Sequence, residues 1–469
     1  MTKLVSLGAA AALVSLLAAC GGSSTTEQQD PGVVSLSGTL GNTFVPAGEN
    51  GEMLARVRIS TRSMDGSARP PINLALVIDT SGSMAGEPID DAREAALAIV
   101  DLMREGDRLS VVAFHSTTEV LLPSTVIEDN LDELRADIGR MEAQGTTDMA
   151  GGLQGGLTEL MTHFEPNGVN RLVLLGDGVP NDEAGIVAMA QAGGERGMSI
   201  TAIGLGLDYN ETLMGDVARV SGGQFHYVEE SEQVATLFRD EVLRMQQVYA
   251  RNAVVRLQPG PGVTIQSVVG QNVQNLGSYV EVHLGDLTEG EHRDLMVRAT
   301  VEGRRSGATV ELMDVHLGFD DAVVEAGRLE RRVFLGAKST DDTEELASGR
   351  NADIEREAAR MQAAAVTVQA VRMTRDGELD AARAMLEQAE REARDFVGDE
   401  RAEDADFAAQ IETMSAYRRS IGTGSTAGAP APAEAPDDDE AEEREPMPEA
   451  DRARIQRQVH SESMDALGW

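Results

Sequence analysis

The sequence predicts a doubly wound α/β domain with a mostly parallel sheet, together with a small antiparallel β-sandwich and a C-terminal helical hairpin. Continuous apolar runs alternate with helical patterns across residues 71–247, which is typical of strands buried on both faces of a parallel sheet. Within 33–70 and 248–340, apolar and polar residues alternate one by one, as in strands with one buried face. Residues 350–421 are rich in Ala, Arg and Glu and predict two amphipathic helices.

The predicted α/β domain contains four apolar runs that indicate its buried strands. These runs are 74–78, 109–114, 172–175 and 200–205. The segment after the first run predicts a helix, because Pro88 suits a first turn and apolar residues recur at spacings of 3 and 4 as far as Met103. Further helices are predicted over 130–141, 148–164, 182–196 and 231–247. This repetition predicts a parallel sheet with helices on both faces.

The predicted sandwich has short strands separated by Gly, Pro and Asp turns. These strands are 254–257, 279–284, 295–301 and 308–312. The alternating stretch 53–61 precedes the α/β domain and can supply a further strand of the same sandwich. In that arrangement the α/β domain is an insertion within the sandwich.

The C-terminal region divides into a helical part and an acidic part. The helical pattern breaks at Asp376-Gly377, which indicates a helical hairpin. Residues 422–469 are expected to form a disordered acidic tail, because 430–451 alone holds 10 acidic side chains, one Arg and five prolines. A short docked helix over 452–469 is the alternative to a frayed end.

Composition excludes several classes of function. The chain has 469 residues, a single cysteine and a formal net charge of −39 at pH 7. One cysteine excludes an internal disulfide framework and any zinc or iron–sulfur site built from a cysteine cluster. The acidic excess argues against binding nucleic acid or an anionic membrane surface through charge.

The single cysteine follows an apolar N-terminal segment. Residues 4–19 are sixteen mostly apolar residues, the length of a signal-peptide core and shorter than the roughly 20 residues of a membrane-spanning helix. The motif Leu17-Ala-Ala-Cys20 resembles the lipobox of bacterial lipoproteins. The resemblance implies removal of residues 1–19 as a signal peptide and acylation of Cys20.

The residues after Cys20 bear on location. Residues 20–32 are polar beyond the cysteine and are expected to form a flexible lipidated tether. Gly21 directly after the cysteine is similar to the sorting pattern for outer-membrane delivery. The protein is therefore expected in the cell envelope, held by acyl chains at the outer membrane and facing the periplasm or the cell surface.

Hydroxyl and carboxylate side chains follow the predicted parallel strands. Asp79, Ser81 and Ser83 come directly after the first apolar run, Thr147 opens a predicted helix, and Asp177 follows the third run. Because ligands of doubly wound sheets bind at the carboxyl edge of the strands, these five oxygen donors are expected to converge. Hard cations such as Mg2+, Mn2+ and Ca2+ prefer oxygen ligands. The sequence therefore predicts a divalent cation site.

The pattern Asp79-x-Ser-x-Ser83, the later Thr147 and the Asp177-Gly pair resemble the metal-ion-dependent adhesion site of von Willebrand factor A (VWA) domains. The resemblance extends over the whole predicted α/β domain. It implies that Ser81, Ser83 and Thr147 coordinate the metal through hydroxyls, and that Asp79 and Asp177 hold it directly or through water. Mg2+ is the expected ion, with Mn2+ and Ca2+ as alternatives.

The threonine ligand has to be chosen from two adjacent threonines, and two positions near the motif differ from the family pattern. Thr147 is chosen because the family's Thr precedes Asn or Asp, and Asp148 follows it here. Thr146 then stands where the family often has Gly. Gly176 stands where the family often has Thr, which removes one hydroxyl from the surroundings of the metal and is expected to weaken its affinity.

Charge indicates what such a site would do. Two carboxylates only neutralise a divalent ion, so the metal keeps an electrophilic position suited to a carboxylate of a partner. The expected function is therefore metal-dependent binding of a protein that presents Asp or Glu. The loops contain no histidine and no positioned base, so no catalytic residue is assigned and the protein is not expected to be an enzyme.

Three alternatives stay open. In the first, the protein is an envelope assembly or scaffold subunit, the metal is structural, and the helical C-terminal region makes the main contacts. In the second, the Asp79 motif only forms an Asx or Ser turn and a helix cap, which explains one loop and not three. In the third, the protein is a hydrolase with an unrecognised site.

Overall fold

The computed structural model describes residues 30–64, 69–180, 183, 185–271, 273–275, 277–397, 405–421 and 447–469. The predicted signal peptide, the lipidation site Cys20, nearly all of the tether and residues 422–446 of the acidic tail lie outside these residues. None of the helices within the described ranges is both long and apolar enough to cross a bilayer.

The chain begins with strands that belong to the sandwich. They are β1 (Val34–Leu40), β2 (Phe44–Pro46) and β3 (Gly51–Thr61). Buried and more exposed residues alternate along β3, as its sequence predicts. Its buried residues, among them Val57 and Ile59, point into the sandwich core.

The α/β domain follows. Its elements are β4 (Ile72–Asp79), α1 (Glu87–Leu102), β5 (Arg108–Phe114), β6 (Thr118–Val126), α2 (Leu131–Ile138), α3 (Met149–Thr162), β7 (Val169–Gly176), α4 (Ile186–Gly194), β8 (Met198–Leu205), α5 (Glu211–Ser221), β9 (Phe225–Val228) and α6 (Val234–Met245). The sheet order is β6-β5-β4-β7-β8-β9, with β6 antiparallel and the other strands parallel. One core packs α1, α2 and α6 on one face, and a second packs α3, α4 and α5 on the other. The predicted doubly wound fold is confirmed.

The remaining strands complete the sandwich. They are β10 (Val248–Pro259), β11 (Val263–Val268), β12 (Gln274–Asn275), β13 (Val280–Thr288), β14 (His292–Val301), β15 (Thr309–Asp321) and β16 (Arg328–Thr340). The two sheets have the orders β1-β3-β14-β11 and β12-β13-β10-β15-β16-β2. Since β1, β2 and β3 precede the α/β domain, that domain is inserted between β3 and β10. The sandwich is antiparallel except where the three-residue β2 pairs in parallel with β16.

The C-terminal region is helical. Its helices are α7 (Thr343–Ser348), α8 (Ala352–Arg375), α9 (Leu379–Val397), α10 (Ala405–Ser420) and α11 (Glu449–Ala466). The turn between α8 and α9 lies at the predicted break, where Gly377 adopts a φ of +83°. The predicted hairpin is joined by a third helix, because Phe407 and Ile411 of α10 pack against Ala363 of α8 and Ala393 of α9.

The prediction of disorder throughout 422–469 is wrong for its last part. Residues 449–466 form α11, and Val459, Met464, Leu467 and Trp469 are buried. The apolar residues of this segment are few: Met464, Leu467 and Trp469 join the core beside α3, α4 and α5, and Val459 packs among residues of α8, α9 and α10. The acidic composition of the preceding residues conceals this pattern. Disorder of 422–446 stays a prediction.

A buried ionic network joins the α/β domain to the sandwich. The Arg171 guanidinium, on β7, lies 3.4 Å from Glu241 of α6 and 3.1 Å from Asp286 of β13. Thr201 of β8 donates a hydrogen bond of 2.7 Å to Glu241. These four residues are at most 8% exposed. The network therefore holds the inserted α/β domain against the β-sandwich.

Candidate metal centre

The first loop of the site begins where β4 ends. All eight residues of β4 are buried, and Asp79 at its end is 0% exposed. The Ser81 backbone N–H donates to Asp79 Oδ1 at 2.8 Å, which folds the loop into an Asx turn. The hydroxyls of Ser81 and Ser83 are 2.9 Å apart, and Ser83 donates to Asp177 Oδ1 at 2.8 Å. Four of the five predicted ligands therefore form one connected group.

The loop before α3 is tied to this first loop by backbone hydrogen bonds. Gly82 N–H donates to the Gly145 carbonyl at 3.1 Å, and Gln144 N–H donates to the Thr80 carbonyl at 2.7 Å. These bonds hold Thr147 near the end of β4, where it is 7% exposed.

Thr147 completes the group of five. A Cβ placed on Gly178 would lie 3.1 Å from Thr147 Oγ1 and 3.9 Å from Asp79 Oδ2. The loop after β7, the loop after β4 and the loop before α3 therefore meet at one point. The structure brings together all five residues that the sequence singles out. The Asx turn at Asp79, which the second sequence-based alternative invoked on its own, is present as part of the same arrangement.

The donor set fits a hard divalent cation. The five side chains offer carboxylate and hydroxyl oxygens and no nitrogen or sulfur ligand, a set suited to Mg2+, Mn2+ or Ca2+. Asp79 Oδ2 is buried and has no hydrogen-bond partner among the described residues. Such an atom costs free energy unless another group satisfies it. Within the same ranges, no three His, Cys, Asp or Glu side chains cluster as metal ligands, so hydroxyls have to complete the site.

Electrostatics at the site also favours a cation. Burial raises the pKa of Asp79 to about 7, hydrogen bonds from Ser81 oppose that rise, and the charge of Asp177 adds to it. Burial likewise raises the pKa of Asp177 against the hydrogen bond from Ser83. The protein therefore holds two carboxylates in an environment that disfavours their charge, and a divalent cation would remove that penalty.

Two neighbouring positions bear on the predicted affinity. A Cβ on Gly176 would lie 3.4 Å from the Met149 methyl carbon and 3.8 Å from Asp79 Oδ2, which are ordinary van der Waals distances. His115, directly after β5, lies beside the site. Its Nε2 is 3.2 Å from Gln144 Nε2, and its carbonyl accepts from Asp148 N–H at 2.7 Å. His115 therefore supports the Thr147 loop.

An acidic groove of about 470 Å³ opens beside Asp177. Its acidic lining residues are Glu87, Asp177, Asp208, Glu229, Glu230 and Glu232. Sequence reasoning missed this groove because it did not predict α5 and β9, whose preceding and following loops form one wall. The available signal was Asp208, which follows the predicted strand 200–205.

Gly145→Ala is expected to reduce the increase in unfolding temperature that Mg2+ causes. Gly145 has a φ of +74°, and an added Cβ would overlap the Ser116 hydroxyl. The loop has to shift, which displaces Thr147 and destabilises the protein by about 1 kcal/mol or more. Thermal unfolding with and without Mg2+ measures both effects.

Gly106→Ala is the matched control for Gly145→Ala. Gly106 has a φ of +90°, but an added Cβ there would lie in open space. We expect a similar backbone penalty without any change in the Mg2+ response. An equal Mg2+ response in the two variants would show that the Gly145 loop does not position a ligand.

The fold and the site together define a class of proteins: a doubly wound α/β domain with hydroxyl and carboxylate groups at the carboxyl edge of its sheet. Residues 73–240 match the family model of the von Willebrand factor type A domain. This part of the chain is therefore a VWA domain, and the family predicted from the motif is confirmed for it. Domains of this family often mediate metal-dependent protein interactions.

Similar proteins include two bacterial relatives. An uncharacterized protein of Synechocystis sp. is 29% identical over 278 residues, which are 57% of this chain and 66% of the relative. The uncharacterized protein YfbK of Escherichia coli is 26% identical over 264 residues, which are 54% of this chain and 46% of the relative. The matches thus span about two thirds and about half of the relatives' lengths.

A solved structure resembles most of the molecule. The von Willebrand factor type A protein from Catenulispora acidiphila superposes with a TM-score of 0.66 at 20% sequence identity, covering 84% of this chain and 91% of that chain. At this identity the likeness concerns the fold. Its coverage extends well beyond the VWA domain.

Proposed function

We propose that this protein is a lipid-anchored component of the cell envelope that binds a protein partner through a divalent cation at the VWA domain. Asp79, Ser81, Ser83, Thr147 and Asp177 would hold the cation. When bound, the cation supplies an electrophilic position that accepts a carboxylate oxygen of a partner's Asp or Glu. Mg2+ is the proposed ion.

The convergence of five oxygen donors from three loops around a buried, unpartnered Asp79 Oδ2 supports this proposal most directly. A capping role for the Asp79 motif explains the Ser81 hydrogen bond. It does not explain why Thr147 and Asp177 lie at the same point. The two carboxylates balance the charge of one divalent ion, and hydroxyls are weak donors, so the ion would keep affinity for a further anionic ligand.

We propose binding and not catalysis as the role of this edge. His115 lies beside the site, but Gln144 contacts its Nε2 and the Thr117 N–H lies 3.4 Å from its Nδ1. Its role here is to support a loop. The five donors are all oxygen atoms suited to hold an ion, and this proposal assigns the Ser83–Asp177 hydrogen bond to that ligand group and not to a base and its proton donor.

The anchor is part of the proposal and rests on the sequence motif at Cys20. The first strand begins at Val34, so residues 20–32 would separate the acylated cysteine from the folded protein. We place the protein at the outer membrane, facing the periplasm or the cell surface.

The test is a pull-down from envelope extract with the full mature chain immobilised, in Mg2+ or in EDTA. We expect the wild type to capture a partner in Mg2+ and to release it in EDTA, whereas Asp79→Ala captures none. Asp129→Ala is the matched control, because Asp129 is an exposed carboxylate after β6, at the opposite edge of the sheet. It should behave as the wild type.

Identical partner sets for the wild type and Asp79→Ala would overturn the proposal. Capture that survives both EDTA and Asp79→Ala but is lost on deletion of residues 351–469 would instead support the scaffold alternative. In that case the helical region makes the contacts and any metal is structural.

A further inference from the structure

The C-terminal helix α11 packs against the loop between β8 and α5. Arg457 of α11 is 7% exposed, and one of its nitrogens donates to the carbonyls of Leu207 at 3.0 Å and Tyr209 at 3.1 Å. Its guanidinium carbon lies 5.2 Å from the centre of the Tyr209 ring. A single buried side chain therefore holds both carbonyls that flank Asp208.

The start of α5 is held by the same helix and by a second one. Glu211 is 0% exposed and pairs with Arg457 at 2.9 Å and with Arg375 of α8 at 3.0 Å. Gln456 of α11 donates to the other carboxylate oxygen of Glu211 at 2.5 Å. Because Glu211 is buried, losing its cationic partners would leave a costly charge. Helices α8 and α11 thus fix the end of this loop.

The opposite side of the same loop faces the metal-binding edge. Leu207 and Asp208 line the acidic groove together with Asp177, one of the five cation donors. Leu207 therefore contributes its carbonyl to Arg457 and also forms part of the groove wall. Loss of the hydrogen bond between Arg457 and the Leu207 carbonyl would therefore alter the wall of the groove next to Asp177.

We propose that Arg457 is a positioning residue for the metal centre, and that α11 raises its cation affinity by holding Asp208 beside Asp177. This inference rests on the proposed function, since it assumes that Asp177 takes part in cation binding. A carboxylate kept close to a bound cation stabilises it, and a loop released from Arg457 no longer keeps that carboxylate in place. Detachment of α11 from this loop therefore lowers the cation affinity of the metal centre, although α11 supplies none of the five cation donors.

The experiment measures Mn2+ binding to the full chain by electron paramagnetic resonance, with Mn2+ alone as the probe. We expect Arg457→Gln to weaken Mn2+ binding about fivefold or more, the usual lower range for coupled sites. Arg457→Lys should have an intermediate effect, because lysine retains the charge near Glu211 but lacks the fork that reaches two carbonyls. Arg452→Gln is the matched control, since Arg452 is an exposed arginine of the same helix.

A double-mutant comparison separates positioning from general damage. In an Asp208→Asn background, Arg457→Gln should change Mn2+ affinity less than twofold, because the carboxylate that Arg457 positions has been removed. Hydrogen exchange should be faster at the amides of 206–210 in Arg457→Gln than in the wild type. If Arg457→Gln does not fold, Arg457→Lys is used in the same comparison.

The outcomes distinguish this inference from the proposed function. A wild-type chain that binds no Mn2+ overturns the proposed function, and with it the assumption made here. Mn2+ binding by the wild type that Arg457→Gln leaves unchanged overturns the inference alone. An equal loss of Mn2+ affinity on Arg457→Gln in the wild-type and Asp208→Asn backgrounds also overturns the inference. Arg457 would then act on the stability of the fold in general and not through Asp208.

Discussion

Replacing Asp79 by asparagine is expected to abolish the stabilisation of this protein by Mg2+. If the wild type binds the ion only when folded, a concentration of 100 times the dissociation constant adds about 2.7 kcal/mol to the free energy of unfolding. The variant loses one of two carboxylates and should show almost none of this gain. Thermal unfolding at zero and saturating Mg2+ measures the difference.

Without metal, the same substitution is expected not to lower the stability of the protein. The asparagine oxygen can still accept from Ser81 N–H and the buried carboxylate charge is removed, while an amide NH2 takes the place of the unpartnered Oδ2. The metal-free variant should therefore be at least as stable as the metal-free wild type. Asp129→Asn, at the opposite edge of the sheet, should leave both values unchanged. A wild type whose unfolding temperature does not respond to Mg2+ would contradict this account.

The second large effect is expected at the contact between the two domains. Arg171→Leu removes the cation that lies beside Glu241 and Asp286 and leaves two buried carboxylates behind. Breaking a buried ion pair on one side typically costs 3–5 kcal/mol. We expect a loss of about that size in the free energy of unfolding, measured by urea denaturation.

Arg135→Leu is the control for Arg171→Leu. Arg135 also contacts two carboxylates, Asp101 and Asp132, but its side chain is 38% exposed. Exposed ion pairs of this kind contribute little to stability, so the control should be nearly neutral. Equal losses in the two variants would show that the buried network does not stabilise the junction.

The pH dependence of stability provides a further check on Arg171→Leu. Burial alone raises the pKa of Glu241, but contact with His226 and the charge of Arg171 outweigh it and lower the pKa to about 2. A carboxylate whose pKa is lower in the folded state adds stability above its unfolded value of 4.5. That contribution is lost as the pH falls from 4.5 towards 2. The wild type should therefore lose more stability across this interval than Arg171→Leu.

The sequence predicts those parts of the α/β domain in which burial leaves a simple pattern. β4, β7 and β8 are buried along their whole length, so each appears as an uninterrupted apolar run. Helix α5 was missed because polar residues are buried in it, Glu211 and Ser221 among them. Strand β6 was missed because it lies at the edge of the sheet and contains Pro123.

The candidate metal centre was predictable because most of its residues stand directly at strand ends. The edge of a parallel sheet brings such positions together whatever the rest of the fold does. The contact of Arg457 with Leu207 was not predictable in this way, since 250 residues separate them. No local pattern relates a helix near the end of the chain to a loop after the fifth strand of this sheet.

The insertion of the VWA domain between β3 and β10 has a mechanical consequence. A pull on a partner held at Asp79 would pass along β4 and leave the domain through both of its chain connections. One of them leads into β3, which pairs antiparallel with β14 from Gly51 to Ser60 and with β1 over its whole length. Val34, where β1 begins, pairs directly with Thr61, where β3 ends, so a load between the N-terminal segment and the inserted domain is applied at one end of this ladder. A partner bound at Asp79 would therefore load the first residue pair of the β1–β3 ladder, where hydrogen bonds open one after another and not together.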